Sequence, residues 1–247
     1  MDFCRVNKMV ETGLVEAFYT LKSWSNWPAN EPDNIEGYKE AAEVFGISVD
    51  NIIRIAQTHT SKVKLVNASD GGEGITKETK PGFDGMVTNV PGLMLATVEA
   101  DCVPVYMLDP VKRVIAMVHS GWKGTAGKIA NDAVELMKNE FGSDVKDILV
   151  CFGPCICADC YEVSDDLIPK FEEKYAREQV ESFFAPKTNG KYLLDLVKAI
   201  TMGLVDAGLN AGNIAKAEDC TLENKNLCSW RRDGDPKARM LTAIMLK

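Results

Sequence analysis

His119 and His59 are the only two histidines in a chain of 247 residues, so each can be weighed singly. His119 ends the apolar run Val114-Ile115-Ala116-Met117-Val118 and opens the Gly-rich turn Ser120-Gly121-Trp122-Lys123-Gly124. The turn after a buried strand is where a parallel or mixed sheet presents chemistry. His59 lies in Gln57-Thr58-His59-Thr60 beside a second strand-like run, and Cys102 follows Asp101 in an acidic turn just before a third. An isolated histidine is ordinarily a partly buried imidazole satisfied by a carbonyl; here all three groups stand at strand mouths. Zinc takes a thiolate and neutral imidazoles, and three protein ligands with one open position mark a catalytic rather than a structural ion. Cys102 with His119 as its base is the metal-free alternative.

The elements that must carry these groups follow from periodicity and turn residues. Leu14–Tyr19, Ile52–Gln57, Val63–Val66, Leu93–Val98, Val103–Leu108, Val114–Val118, Ile148–Phe152 and Arg239–Leu246 read as strands. Asn34–Phe45 has helical spacing and ends before Gly46, and one amphipathic helix is expected from Gly124 to about Phe141. Ser164–Tyr175 and Leu194–Leu204 read as further helices. Asp84 and Gly85 suit a turn, Asp70–Gly74 a loop, and Ser23–Pro28 an aromatic loop that forms either a substrate rim or plain surface. Strands and helices mix without a strict alternation, so the expected class is α+β with mixed β-sheets. No internal repeat or low-complexity linker divides the chain, and residues 1–247 are read as a single domain.

Composition narrows the partners. At 46% hydrophobic and 26% charged, the chain has the make-up of an ordinary globular protein. A formal net charge of -8 argues against nucleic acid or an anionic membrane as the main partner. The first residues lack a secretory leader, and no run reaches the roughly 18 apolar residues of a membrane span. A cytoplasmic location is expected, with the eight cysteines as thiols, ligands or core residues.

Three further groupings have a functional and a structural reading. Ser120–Thr125 opens a helix, and with Lys123 it is either an anion site or a tight packing turn. Cys155, Cys157 and Cys160, with Cys151 as a fourth thiol, do not match the common cluster spacings and read as structural, although Cys160 could reach the main site. Arg231 and Arg232 are adjacent, so one could enter a pocket and bind phosphate while the other pairs on the surface.

Taken in order, Gln57-Thr58-His59, Asp84-Gly85-Met86-Val87-Thr88, Ala100-Asp101-Cys102-Val103-Pro104-Val105, His119 through Gly124, Gly153-Pro154 through Cys160-Tyr161-Glu162-Val163, Leu194-Asp195-Leu196, Cys220-Thr221 and Arg231-Arg232-Asp233-Gly234 resemble the YfiH-like family, also called the polyphenol oxidase or laccase-domain family. The resemblance implies a layered α/β/β/α domain with mixed sheets and a zinc on His59, Cys102 and His119. It also implies purine nucleoside chemistry: phosphorolysis of adenosine, inosine, guanosine and methylthioadenosine, and hydrolytic deamination of adenosine. On this reading Asp101 or Glu162 shuttles protons, and Gln57, Lys123, Arg231 and Arg232 hold nucleoside or phosphate. Copper is the alternative ion, with oxidation of phenols as its activity, although two histidines are few for several coppers. The chain departs from the family pattern at Leu21-Lys22-Ser23-Trp24, where members commonly carry an arginine and paired glycines, and at Ile200, where an asparagine is expected.

Overall fold

The computed structural model describes residues 1–24, 35–215 and 219–247. Most of the aromatic loop expected over residues 23–28 lies outside them; Ser23 and Trp24 belong to a short 3₁₀ turn, Lys22–Trp24.

Val103–Asp109 and Val114–Ser120 are buried at every position because both of their faces are covered. Side chains alternate along a strand, so Val105 and Met107 point to one core while Tyr106 and Leu108 point to another. These two strands pair antiparallel, with Val103 opposite Ser120 and Asp109 opposite Val114. They lie at the centre of a mixed sheet that runs Ile214–Ala215, Leu149–Phe152, Val103–Asp109, Val114–Ser120, Gly85–Thr88 and Val63–Leu65. A second mixed sheet runs Phe3–Arg5, Val15–Thr20, Met240–Leu246, Met94–Glu99 and Ile52–Arg54.

The two sheets face each other across an apolar seam to which Leu95 and Ile244 contribute from one side and Tyr106, Ile115 and Met117 from the other. Two polar contacts fix the seam: the Tyr106 hydroxyl donates to the Phe18 carbonyl at 2.8 Å, and the Thr97 and Thr242 hydroxyls meet at 2.7 Å. Helix Ile35–Phe45 covers the outer face of the second sheet, and helices Ile129–Phe141 and Leu196–Asp206 cover that of the first. The order is helix, sheet, sheet, helix, as the expected α+β class with mixed sheets requires.

Several elements differ from the sequence reading. The helix expected from Gly124 to Phe141 is two, Trp122–Ala126 and Ile129–Phe141, because Lys128 takes a left-handed φ of 59° between them. Gly85 begins a strand rather than a turn. The expected Ser164–Tyr175 helix contracts to Ile168–Glu172, since Glu162–Ser164 pairs instead in a small sheet with Lys191–Leu194 and Phe184–Pro186. Helix Arg177–Phe183 has no counterpart in the sequence reading. No helix among the described residues is long and apolar enough to cross a membrane.

Candidate metal centre and cleft

Strand parity carries His119 into the seam. It continues the face of Ile115 and Met117, and Glu99 continues that of Leu95 and Thr97 on the opposing sheet, so the two meet at one end of the seam. Glu99 Oε2 lies 3.7 Å from His119 Nε2. Both side chains are buried, and neither oxygen of Glu99 has a hydrogen-bond partner within normal reach among the described residues. Burial pushes the Glu99 carboxyl up to about 8, against the pull of His119.

Asp84 organises the other side of the site. Its fully buried carboxylate lies 2.9 Å from His119 Nδ1. It also accepts the amide hydrogens of Thr58 (3.3 Å), His59 (3.0 Å) and Thr60 (2.6 Å), and the Thr60 hydroxyl at 2.8 Å. One carboxylate thereby wraps the 58–60 loop around itself and supports His59 at a left-handed φ of 59°. Burial works against the charged form of Asp84, but His119 and Thr60 outweigh it and hold the carboxyl down to about 2. With Nδ1 engaged, Nε2 is the ligand nitrogen left to His119.

The hairpin register brings the third group in. Because Val103 stands opposite Ser120, Cys102 and Gly121 share the same end of the sheet. One ligand atom from each of His59, Cys102 and His119 lies within 4.8 Å of the others, and Cys102 Sγ is 3.8 Å from His59 Nε2. The two imidazole rings cross at 81° with centroids 4.8 Å apart. Gly121 is the cradle: a Cβ there would stand 2.9 Å from Cys102 Sγ and 3.1 Å from His59 Cδ2. Burial disfavours the Cys102 thiolate, yet the two imidazoles outweigh it and bring the thiol down to about 6. Two imidazoles and an acidified thiol fit one borderline metal ion; they are too few for several coppers.

The site opens on a cleft of about 430 Å³, within the range of small-molecule pockets. Trp122, Tyr161, Trp230, Arg231 and Arg239 stand on its walls. The Arg231 guanidinium lies 5.2 Å over the Tyr161 ring and donates to the Glu162 carbonyl at 3.0 Å. Gln57 lines the cleft, but its amide is engaged with the Val98 backbone at 2.9 and 2.8 Å. Asp101 also lines it, at φ 87°, with its two oxygens taken by the Thr221 hydroxyl and the Arg231 amide, both at 2.6 Å.

Three residues expected at the site stand away from it. The Glu162 carboxylate turns outward to Lys187 at 2.7 Å. The Arg232 guanidinium turns inward on its own loop, donating to the carbonyls of Thr221, Leu222, Asn224 and Leu227 and pairing with Asp233, so it holds a loop rather than a ligand. Lys123 is exposed outside the cleft wall, its ammonium 5.6 Å from the Trp122 ring, and the helix it opens has five residues. Cys151 lies in the seam between the sheets, while Cys160 joins Cys157 and Cys220 instead of the main site.

Sequence reasoning missed Asp84, Glu99 and Arg239 as neighbours of the site. A charge closing the apolar strand Met94–Glu99 was the one signal available for Glu99. Asp84 followed by glycine has the local signature of a turn and gave none.

Comparison with known proteins places the chain. The family model described as "Multi-copper polyphenol oxidoreductase laccase" matches residues 13–247. "Adenosine deaminase RL5", from an unknown prokaryotic organism, is 33% identical over 206 residues, 82% of this chain and 78% of that protein. "Purine nucleoside phosphorylase YlmD" of Geobacillus stearothermophilus is 32% identical over 215 residues, 86% of this chain and 78% of that protein. The crystal structure of the hypothetical protein YfiH of Bacillus licheniformis superposes with a TM-score of 0.88 at 29% identity, covering 100% of this chain and 97% of that one. With a family match over nearly its whole length and relatives above 30% identity, the chain belongs to the multi-copper polyphenol oxidoreductase laccase family, the YfiH-like proteins.

Proposed function

We propose that this chain is a purine nucleoside enzyme that works with one zinc ion, which His59, Cys102 and His119 would hold. The observation that carries the reading is the placement of that donor set in a cleft walled by aromatic rings and a guanidinium, in a chain whose relatives are named as purine nucleoside phosphorylases and an adenosine deaminase. Residues 1–247 act on this reading as one catalytic domain in the cytoplasm, on small-molecule nucleosides and phosphate. A zinc bound there supplies Lewis acidity, and copper is the competing ion.

The chain's own residues supply the rest. Trp122 and Tyr161 offer faces on which a purine stacks, an interaction worth about 1–3 kcal/mol per base. Arg231 offers its guanidinium to phosphate. In phosphorolysis a phosphate oxygen bonds to the ribose C1′ as the bond to N9 breaks, the electron pair passes to the purine, and the purine takes a proton. In deamination of adenosine, water adds its oxygen at C6 and ammonia leaves, giving inosine. Glu99, its carboxyl pushed up to about 8 and lying 3.7 Å from His119 Nε2, on the side of the ring opposite Asp84, is assigned the proton transfer. The substrates are adenosine, inosine, guanosine and methylthioadenosine for phosphorolysis, and adenosine for deamination.

Pure protein incubated with adenosine, with and without phosphate, tests this directly. Inosine without phosphate reports deamination, and adenine with ribose 1-phosphate reports phosphorolysis. Absence of every product from a metal-loaded sample rejects the reading.

A second reading has its own observation. His119 oriented by Asp84, beside a thiol brought down to about 6, is also the arrangement of a cysteine hydrolase. Chelation separates the two, since a thiol hydrolase keeps its activity and the zinc enzyme loses it.

A further inference from the structure

We propose that Cys157, Cys160, Cys220 and Glu223 form a second metal site, a structural zinc site outside the cleft. One ligand atom from each lies within 4.8 Å of the other three. Sulfur ligands of a tetrahedral zinc, each about 2.3 Å from the ion, stand roughly 3.8 Å apart, so these positions need only small side-chain movements to close. The four come as two pairs, Cys157-x-x-Cys160 and Cys220-x-x-Glu223, the short spacing that structural zinc sites use.

The backbone shapes the first pair. Cys157 precedes the 3₁₀ turn Ala158–Cys160, which returns Cys160 beside it, and the Cys157 amide donates to Cys220 Sγ at 3.4 Å. The three cysteines are half-buried, Glu223 is exposed, and no disulfide joins them. Zinc binds cysteine as the thiolate, and three sulfurs with one carboxylate close the tetrahedron without leaving a position for substrate.

The position gives the ion its task. Cys155 and Cys220 form a bridge in which the Cys155 amide donates to the Asp219 carbonyl at 3.3 Å and the Thr221 amide donates to the Cys155 carbonyl at 3.0 Å. The next residues on each side reach Asp101: the Ile156 amide donates to its carbonyl at 3.0 Å, and the Thr221 hydroxyl to its carboxylate at 2.6 Å. An ion on Cys157, Cys160, Cys220 and Glu223 therefore fastens together the two segments that hold the residue preceding Cys102. The cysteine cluster borders a neighbouring cavity of about 750 Å³, and Ile156 separates that cavity from the cleft.

Elemental analysis of the full chain, purified reduced and loaded with zinc, tests the site without recourse to turnover. The wild type is expected to hold close to two zinc ions, and His119→Ala and the double variant Cys157→Ser/Cys220→Ser close to one each. In cobalt-loaded protein the thiolate-to-cobalt absorption should survive His119→Ala in large part and fall in the double variant to the share that Cys102 alone gives at the cleft. Should the double variant fail to fold, the single variants decide: Cys160→Ser loses the second ion to a competing chelator, whereas Cys160→His, which restores a zinc ligand, retains it. Wild-type zinc content in the cysteine variants, equal retention by Cys160→Ser and Cys160→His, or a wild type that holds one ion and carries a Cys157–Cys160 or Cys157–Cys220 disulfide overturns the proposal.

Discussion

Cys102 and His119 stand at the ends of sheet strands and His59 on the loop that Asp84 gathers, whereas Cys157, Cys160, Cys220 and Glu223 stand on connecting segments away from that carboxylate. The first group mixes imidazole with thiol, is oriented from behind by a buried carboxylate and opens on a cleft. The second is three thiols and a carboxylate, held mainly by backbone contacts. The difference is one of support: sheets fix the first group through long-range register and a second layer of hydrogen bonds, while loops gather the second by sequence-local turns and one cross-chain bridge. A reacting site needs the former rigidity, and a cation itself can supply the order that the latter lacks.

The sharpest contrast between the groups should come from His119→Ala. On the proposed reading it abolishes turnover and metal uptake at the cleft, leaves the fold mostly intact and leaves metal on the cysteine cluster untouched. Metal content and product formation on one sample check it, and full activity in the variant would end the assignment.

Asp84→Asn should follow in size. The amide preserves the volume of Asp84 but removes the charge that orients His119 and gathers residues 58–60. Metal affinity at the cleft should fall by about 10–100-fold. Asp84→Ala should cost about 3–5 kcal/mol in denaturant unfolding, because it removes a buried carboxylate that pairs with buried His119 and ties down the 58–60 loop. A cleft affinity unchanged in the asparagine variant would mean that Asp84 serves the loop alone.

Gly121→Ala should cost less. Its new methyl meets Cys102 Sγ at 2.9 Å, and overpacking of this kind typically costs about 1–3 kcal/mol. Displacement of the thiol should appear as weaker metal binding at the cleft, with the cysteine cluster serving as the internal control.

The smallest effects separate the two adjacent arginines. Arg231→Ala should raise KM for phosphate roughly tenfold with little change in stability, since its guanidinium lies on the cleft wall. Arg232→Ala should leave KM unchanged and lower stability by about 1–3 kcal/mol through the loop carbonyls it satisfies. The reverse pattern would exchange their roles.

Local pattern reached far into this chain because buried strands write their burial into every residue. The runs ending at Val98, Leu108 and Val118 were legible as strands, and His59, Cys102 and His119 could be named from the sequence as candidate ligands, although His59 stands on the loop between Ile52–Arg54 and Val63–Leu65 and not at a strand end. The α+β class with mixed sheets followed from the irregular alternation of elements. Ile200 shows the limit of motif comparison: it stands where the family pattern expects asparagine, and it packs in the core of a covering helix.

Only the folded chain decided which distant groups meet. Asp84 carries a turn signal in one dimension, but hydrogen bonds to residues 58–60 and to His119 make it the organiser of the site in three. Cys220 lies 63 positions from Cys157, and no spacing rule within the 155–160 segment could name it as the third thiol. Glu162 and Arg232 are polar in the sequence whichever way they point, and their partners Lys187 and the loop carbonyls fix the direction. Periodicity is a property of neighbours along the chain, so the sequence by itself determined the strands and the candidate ligands. Convergence depends on sheet register and loop packing, which arise from contacts between residues far apart, and these the tertiary structure alone supplied.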